Sequence, residues 1–499
     1  MTMKPHETSK INIFTMENSQ LQPQSVFHYF SIINKIPRPS GKEEQMMAYL
    51  HKFAKEHGLE SMQDETGNVL IRKPATPGYE NRKTTVLQSH MDMVCEKEAG
   101  LEFNFLTDPI QTEVQGEWLT AKGTTLGADD GIGGAIQLAI LANTHLEHGP
   151  LECLFTRSEE TSLTGAFGLD PHMLQGEYLI NLDSEDEGQI FISCAGGANT
   201  RAWFDTIYEE APQDSFFFRM QVKGLVGGHS GDDINKKRAN ANILLFRLIS
   251  RLRKDFGLRL ADVQSGGLHN AIPRDGYALC CVPNRHKEDV RVAFNIMTAE
   301  IEEEYNTTEK GITFILESIE PQTVVLETSL TDRLIKAILG VPNGVLAMSQ
   351  DIPDFVETSS NLASVRIKDG KIHIETMQRS NLTSKRLATC EAVSGVFELA
   401  GAHVDVNTGY PGWYLDPASP FLQMAVAAYK HLFGRNPEVK AIHAGLECGL
   451  FSEKYPHMDM ISIGPTLRGV HSPDERLLIP TVQQVWDHVL EILRNIPVR

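Results

Sequence analysis

Two histidines and a set of carboxylates have the types and spacing to share one piece of chemistry. His90 ends the run Thr84-Thr85-Val86-Leu87-Gln88-Ser89 and is followed two residues later by Asp92. Positions i and i+2 of an extended chain point to the same side. Asp92 can therefore hold one ring nitrogen of His90 while the other faces a cavity. A metal-bound imidazole usually has such a partner, which fixes its tautomer and raises its basicity. Further along stand Asp129 in Gly127-Ala128-Asp129-Asp130-Gly131, the pair Glu159-Glu160, Asp183 heading an acidic run, and His471 in Gly469-Val470-His471-Ser472-Pro473.

Singly, each has an ordinary reading: a structural hydrogen bond for His90 and Asp92, a helix cap for Asp129, solvated surface for Asp183, exposed loop charge for Glu159-Glu160, and one histidine among 18 for His471. Together, His90, Asp129, Glu160, Asp183 and His471 supply two imidazoles and three carboxylates. If one carboxylate bridges, two metal ions each gain three protein ligands and keep an open position for water, the catalytic arrangement. Nitrogen and oxygen donors without thiolates suit zinc, with cobalt or manganese as substitutes. Glu159 is left over by the ligand set. A carboxylate there is placed to act as general base and to return the proton to a leaving amine.

The elements that must position these groups read as an α/β pattern. Apolar residues at helical spacing over 25–36 are stopped by Pro37 and Pro39, and Ser40-Gly41-Lys42-Glu43 reads as a capping box opening a helix to His57, ended by Gly58. Short apolar runs predict strands at 68–72, 85–88, 151–155, 178–182 and 458–463, with a glycine-rich turn at Gly127 opening a helix to about Asn143. The acidic and histidine residues fall just past these strands, where open α/β sheets gather ligands. Between about 198 and 410 the texture becomes α+β: strands at 216–222, 277–282 and 312–318, helices at 235–256, 286–305, 328–339 and 384–399, and a hairpin across Asp369-Gly370. The expected organisation is a flexible extension over 1–20, a catalytic domain of 21–197 and 411–499 with a mixed, mostly parallel sheet flanked by helices, and an inserted α+β lid of two sandwich-like halves over 198–410.

Bulk properties agree with a two-domain globular chain. At 499 residues it is long for one core. A net charge of −19 argues against nucleic acid or anionic membrane as a partner. Its apolar runs are too short for a membrane span, and the first twenty residues lack an apolar signal core. Seven scattered cysteines without a CxxC pair point to a reduced, cytoplasmic setting.

The motifs around His90, Asp129, Glu159-Glu160, Asp183 and His471 resemble the co-catalytic zinc peptidases that include aminoacylase, glutamate carboxypeptidase and peptidase T. Ile192-Ser193-Cys194-Ala195-Gly196-Gly197, Gly224-Leu225-Val226-Gly227-Gly228-His229-Ser230-Gly231 and Ile442-His443-Ala444-Gly445-Leu446-Glu447-Cys448-Gly449 are similar to the aminoacyl-histidine dipeptidase subfamily. The similarity runs from about Leu21 to the C-terminus. The resemblance implies two zinc ions, with Asp129 bridging, His90 and Asp183 completing one site, and Glu160 and His471 the other. It implies Asp92 as the residue orienting His90, Glu159 as the base, and His229 as a donor to the developing oxyanion. Asn270 and Arg379 become candidates for holding the substrate carboxylate, a task that suits a bidentate guanidinium, and His443 a candidate for lining the site. The implied reaction is hydrolysis of dipeptides of the Xaa-His type such as β-Ala-His. A homodimer is compatible with the resemblance. Other small peptides or N-acyl amino acids are the alternative substrates. A catalytically silent metal-bound binding protein is the alternative of another class, opposed by the presence of Glu159, which pure binding does not need.

Overall fold

The computed structural model describes residues 21–499; the expected extension over 1–20 lies outside the described residues. Contacts divide the chain into two compact units. One comprises the chain up to Ile192 together with Tyr414–Lys440 and Leu450–Arg499; the other comprises Ser193–Trp413 and Ala441–Gly449. The second unit thus takes in a short segment, Ala441–Gly449, that lies within the expected catalytic span of 411–499.

The first unit is built on a mixed sheet. Leu151–Thr156, Thr85–His90, Tyr178–Asn181 and Asp459–Ser462 lie side by side in that order and run parallel. Val69–Lys73 adds antiparallel to Leu151–Thr156, and Glu60–Gln63 adds antiparallel beyond it. The central strands are buried along their length, as expected when helices cover both faces. Because the four central strands are parallel, their carboxyl ends share one edge. His90 is the last residue of its strand, Glu159 and Glu160 follow Leu151–Thr156, and Asp183 follows Tyr178–Asn181.

Local sequence explains most of the flanking helices. Ile479–Asn495 starts with Pro480 in its first turn and buries Val482, Val485, Val489 and Ile492, one apolar stripe at helical spacing. Ala128–Ala142 is apolar nearly all round and buried on every side. The expected capping box is not formed. The helix is Glu44–Glu56 and makes no side-chain cap. Glu43 accepts from Gly41 N–H at 2.6 Å, and both Ser40 and Glu43 also bond to residues far away in sequence, described below.

The second unit carries one continuous antiparallel sheet in the order Thr313–Ser318, Ser215–Lys223, Gly276–Pro283, Arg259–Gly266, Val356–Lys368, Lys371–Ser380, Gly196–Asp205, His403–Val406, with Gly344–Met348 also on Val356–Lys368. The two expected halves are therefore joined edge to edge, through a three-residue ladder pairing Gln264–Gly266 with Ser364–Arg366. The Asp369-Gly370 hairpin has both turn residues at positive φ, +51° and +74°, the backbone that a two-residue turn between twisted strands requires. The expected helix at 235–256 begins only at Ala241. Asn240 caps it by accepting from the N–H groups of Asn242 and Ile243.

A buried histidine gives the first unit a pH dependence. His488 Nε2 donates to the Ala425 carbonyl at 2.9 Å. Burial pushes its pKa down from 6.5 to about 4, the hydrogen bond opposing only in part. The unfolded chain takes up this proton near pH 6.5 and the folded one only near 4, so stability is intact above 6.5 and is lost as pH falls toward 4. Between pH 7 and 4.5, wild type should lose about 2–3 kcal/mol more than His488→Gln. Denaturant titrations at both pH values measure this, and equal losses in the two proteins would contradict it.

Candidate metal centre and its surroundings

The first unit brings His90, Asp129, Glu159, Glu160, Asp183 and His471 together. Asp129 sits between the two imidazoles: its Oδ1 lies 3.1 Å from His90 Nε2 and its Oδ2 lies 3.1 Å from His471 Nε2. His90 Nε2 is also 3.5 Å from Asp183 Oδ1, and His471 Nε2 is 2.9 Å from Glu160 Oε2. Ligand atoms of His90, Asp129 and Asp183 all lie within 4.8 Å of one another, as do those of Asp129, Glu160 and His471, and those of His90, Glu159 and Glu160.

These side chains fit metal ions on the evidence of their own chemistry. Glu160 Oε1 is buried without a hydrogen-bond partner. Burial, helped by the nearby Asp129 charge, pushes the Asp183 carboxyl up to about 7 despite His90 beside it. Burial and Asp129 also raise Glu160. His471 is driven up to about 11 by its bonds to Asp129 and Glu160. Asp129 itself is held low, because the two imidazoles outweigh its burial. Carboxylates pushed upward around a pair of imidazoles form a pocket short of positive charge, which divalent cations would supply.

Asp92 couples this cluster to the turn carrying the glutamates. It is fully buried, and its Oδ1 lies 3.4 Å from His90 Nδ1. The same carboxylate accepts from Ser40 Oγ at 2.6 Å and from the N–H groups of Glu159 and Glu160 at 3.0 and 3.3 Å. A proton on Nδ1 toward Asp92 leaves Nε2 free to face Asp129 and Asp183. Ser158, just before the glutamates, has φ of +49°, and His471 has φ of +61°. Non-glycine residues in this region are strained and persist only where surroundings hold them. Glu43 does so for Ser158, accepting from its N–H at 3.2 Å and its Oγ at 2.7 Å while pairing with Arg157 at 2.8 Å.

Three further groups escaped the sequence analysis. Glu475, 2% exposed, accepts from the N–H groups of Leu126, Gly127, Ala128 and Asp129 at 2.8 to 3.3 Å. It cradles the backbone that presents Asp129. Arg38, 1% exposed, donates to the carbonyls of Asp92 at 2.6 Å and Gly127 at 2.5 Å, tying the His90 and Asp129 loops together. Asp130 is buried beside the ligands, and its Oδ1 accepts from Gly133 N–H at 3.1 Å. Arg38 between two prolines and Glu475 four residues past His471 were the available signals.

The second unit gathers the substrate-binding candidates. Arg379 Nη2 lies 3.3 Å from His229 Nε2, and Arg379 Nη1 donates to Tyr410 Oη at 2.9 Å. Asp232 N–H donates to His229 Nδ1 at 3.2 Å, while Arg379, which can only donate, faces the other ring nitrogen. Burial, then the Arg379 charge, pushes His229 down to about 4. Near neutral pH the ring is uncharged and lies next to a guanidinium, a setting suited to an anionic oxygen. His443, with its Nε2 2.7 Å from Ser359 Oγ, is pushed down to about 3 by burial and by the charges of Arg379 and His229. Asn270 is exposed; its carbonyl accepts from Ser230 N–H at 2.7 Å, next to His229. Ser359 and Tyr410 were not singled out from sequence.

Known proteins resemble this chain over nearly its whole length. The chain is 41% identical over 483 residues to the cytosol non-specific dipeptidase of Escherichia coli strain K12, covering 97% of this chain and 100% of that protein. It is 41% identical to the aminoacylhistidine dipeptidase of Vibrio alginolyticus, whose crystal structure superposes with a TM-score of 0.88 over 97% of this chain and 99% of that one. A tripeptidase from Staphylococcus aureus, 16% identical with a TM-score of 0.57 over 95% of this chain and 99% of that one, shares the fold. The model of peptidase family M20/M25/M40 matches residues 86–495, a span that holds every ligand candidate from His90 to His471. This chain belongs to peptidase family M20/M25/M40.

Proposed function

We propose that this chain is a dizinc dipeptidase, with Xaa-His dipeptides such as β-Ala-His among its substrates. The observation that carries the reading is Asp129, whose two oxygens each face a different imidazole Nε2 at 3.1 Å. Each imidazole then has a second carboxylate of its own, Asp183 or Glu160. In this reading Asp129 would serve both zinc ions, with His90 and Asp183 holding one and Glu160 and His471 the other. Cobalt or manganese could substitute. When bound, the metal pair supplies Lewis acidity and lowers the pKa of water.

The remaining steps belong to side chains. Glu159, whose carboxylate lies within 4.8 Å of donor atoms of His90 and Glu160, takes the proton from the attacking water and passes it to the leaving amine. Asp92 keeps His90 oriented and fixes the backbone at Glu159. His229 Nε2–H donates to the developing oxyanion, and Arg379, helped by Asn270, holds the substrate carboxylate. His443 lines the binding region.

The names of the relatives support dipeptides as the substrate class: the Escherichia coli protein is called non-specific and the Vibrio protein aminoacylhistidine-directed. A cytoplasmic location is supported by the former's name, and by seven cysteines that are all free thiols. Among the described residues no helix is long and apolar enough to cross a membrane.

Three outcomes follow. Glu159→Gln should retain both metals while kcat falls by about 10²–10⁴; near-normal turnover in a fully metallated variant would remove Glu159 from the base role. Glu475→Gln should fold but bind metal about 10–100-fold more weakly, because an amide cannot accept from four N–H groups; chelator competition reads this, and unchanged affinity contradicts it. A panel of β-Ala-His, Gly-His, tripeptides, pentapeptides and N-acyl amino acids should show dipeptides cleaved best. Faster turnover of acyl amino acids or of pentapeptides would overturn the substrate class.

A further inference from the structure

His229 lies on an irregular loop, and the neighbouring Gly227 and Gly228 give that loop little intrinsic order. The loop leaves the strand Ser215–Lys223 and ends at the cap of the helix Ala241–Phe256. Its regular pairing is the two-residue ladder of Gly228–His229 with Ala271–Ile272. Inside the loop, Asp233 Oδ2 accepts from His229 N–H at 2.8 Å and lies 2.9 Å from Arg238 Nη1. Arg238 in turn donates to the Gly227 carbonyl at 2.5 Å. A Cβ at Gly228, where φ is +126°, would collide with both Arg238 and Asp233, so this close packing demands glycine.

These bonds brace the loop against itself, but they do not anchor it. Besides the ladder to Ala271–Ile272 and the Ser230 N–H bond to the Asn270 carbonyl, the loop is anchored by Glu309, which is 1% exposed. Its Oε2 accepts from Val226 N–H at 2.7 Å, and its Oε1 accepts from Ala239 N–H at 2.9 Å. One carboxylate thus clamps the two ends of the 226–239 loop. Both bonds are charge-assisted, the stronger class of hydrogen bond. The neighbouring elements have their own supports: the helix is capped by Asn240, and the strand is paired on both sides.

We propose that Glu309 is a positioning residue for His229: by clamping both ends of the 226–239 loop it sets the direction in which His229 Nε2 donates. The proposal rests on the reading of His229 as a donor to the developing oxyanion. A donor of that kind acts only when aimed to within a fraction of an ångström, so loosening its loop costs rate more than binding.

The test compares full-length, metal-loaded wild type, Glu309→Gln, His229→Ala and the double variant on Gly-His. Glu309→Gln should lower kcat by about ten- to a hundredfold, shift KM much less and leave metal content unchanged. Hydrogen–deuterium exchange should rise in peptides covering 226–239. In the His229→Ala background the same substitution should change kcat by less than about twofold, because the aimed group is gone. If Glu309→Gln folds poorly, Glu309→Asp keeps the charge on an arm too short for both amides and should show the same pattern. Equal kcat losses in the two backgrounds, or none in either, would overturn the proposal. Wild-type kcat in His229→Ala alone would remove the underlying reading of His229, and the role of Glu309 with it.

Discussion

The arrangement in the first unit depends on one carboxylate held between two imidazoles. Asp129 faces His90 Nε2 and His471 Nε2 at the same 3.1 Å, although the two histidines lie at opposite ends of the chain. Around it stand Asp130, Glu160, Asp183 and Glu475, each with its carboxyl raised from its ordinary value, burial being the largest cause. So many acidic groups in one partly dry place would repel one another unless cations or protons intervene. The site's geometry and its electrostatic demand therefore point the same way.

Holding that geometry takes a second layer of groups that do not face the cluster centre. Glu475 secures the backbone of Asp129, Arg38 joins the two loops behind it, and Asp92 locks His90 to the turn of Glu159 and Glu160. Glu43 holds the left-handed Ser158 that directs that turn. Such supporting contacts commonly matter almost as much as the ligands themselves. The second unit follows the same logic. His229, Arg379 and His443 cluster, and each is oriented by a neighbour: Asp232, Tyr410 and Ser359.

Much of this was legible in the sequence, for identifiable reasons. His90, Glu160 and Asp183 follow short apolar strands, and parallel strands end on one edge, so motif and element together located them. The Asp-Gly hairpin and the glycine that ends the Glu44–Glu56 helix announced themselves through turn chemistry. What failed were patterns whose meaning is set by distant partners. Ser40 and Glu43 match a capping box, but apart from the Gly41 N–H bond to Glu43 their bonds go to Asp92, Ser158 and Arg157, which nothing local reveals. Glu475 looks like loop charge until the N–H groups of residues 126–129 are seen around it. The assignment of Ala441–Gly449 to the second unit depends on tertiary contacts that leave no mark in its composition.

The bridging role of Asp129 is the central claim, and metal stoichiometry tests it most directly. Asp129→Ala and Asp183→Ala, dialysed against the same weak chelator, would be analysed for bound metal per chain alongside wild type. The account predicts that Asp129→Ala loses both ions, since a bridging carboxylate serves each of them and shields one from the other, while Asp183→Ala loses chiefly one. Two tightly held ions per chain in Asp129→Ala would contradict it.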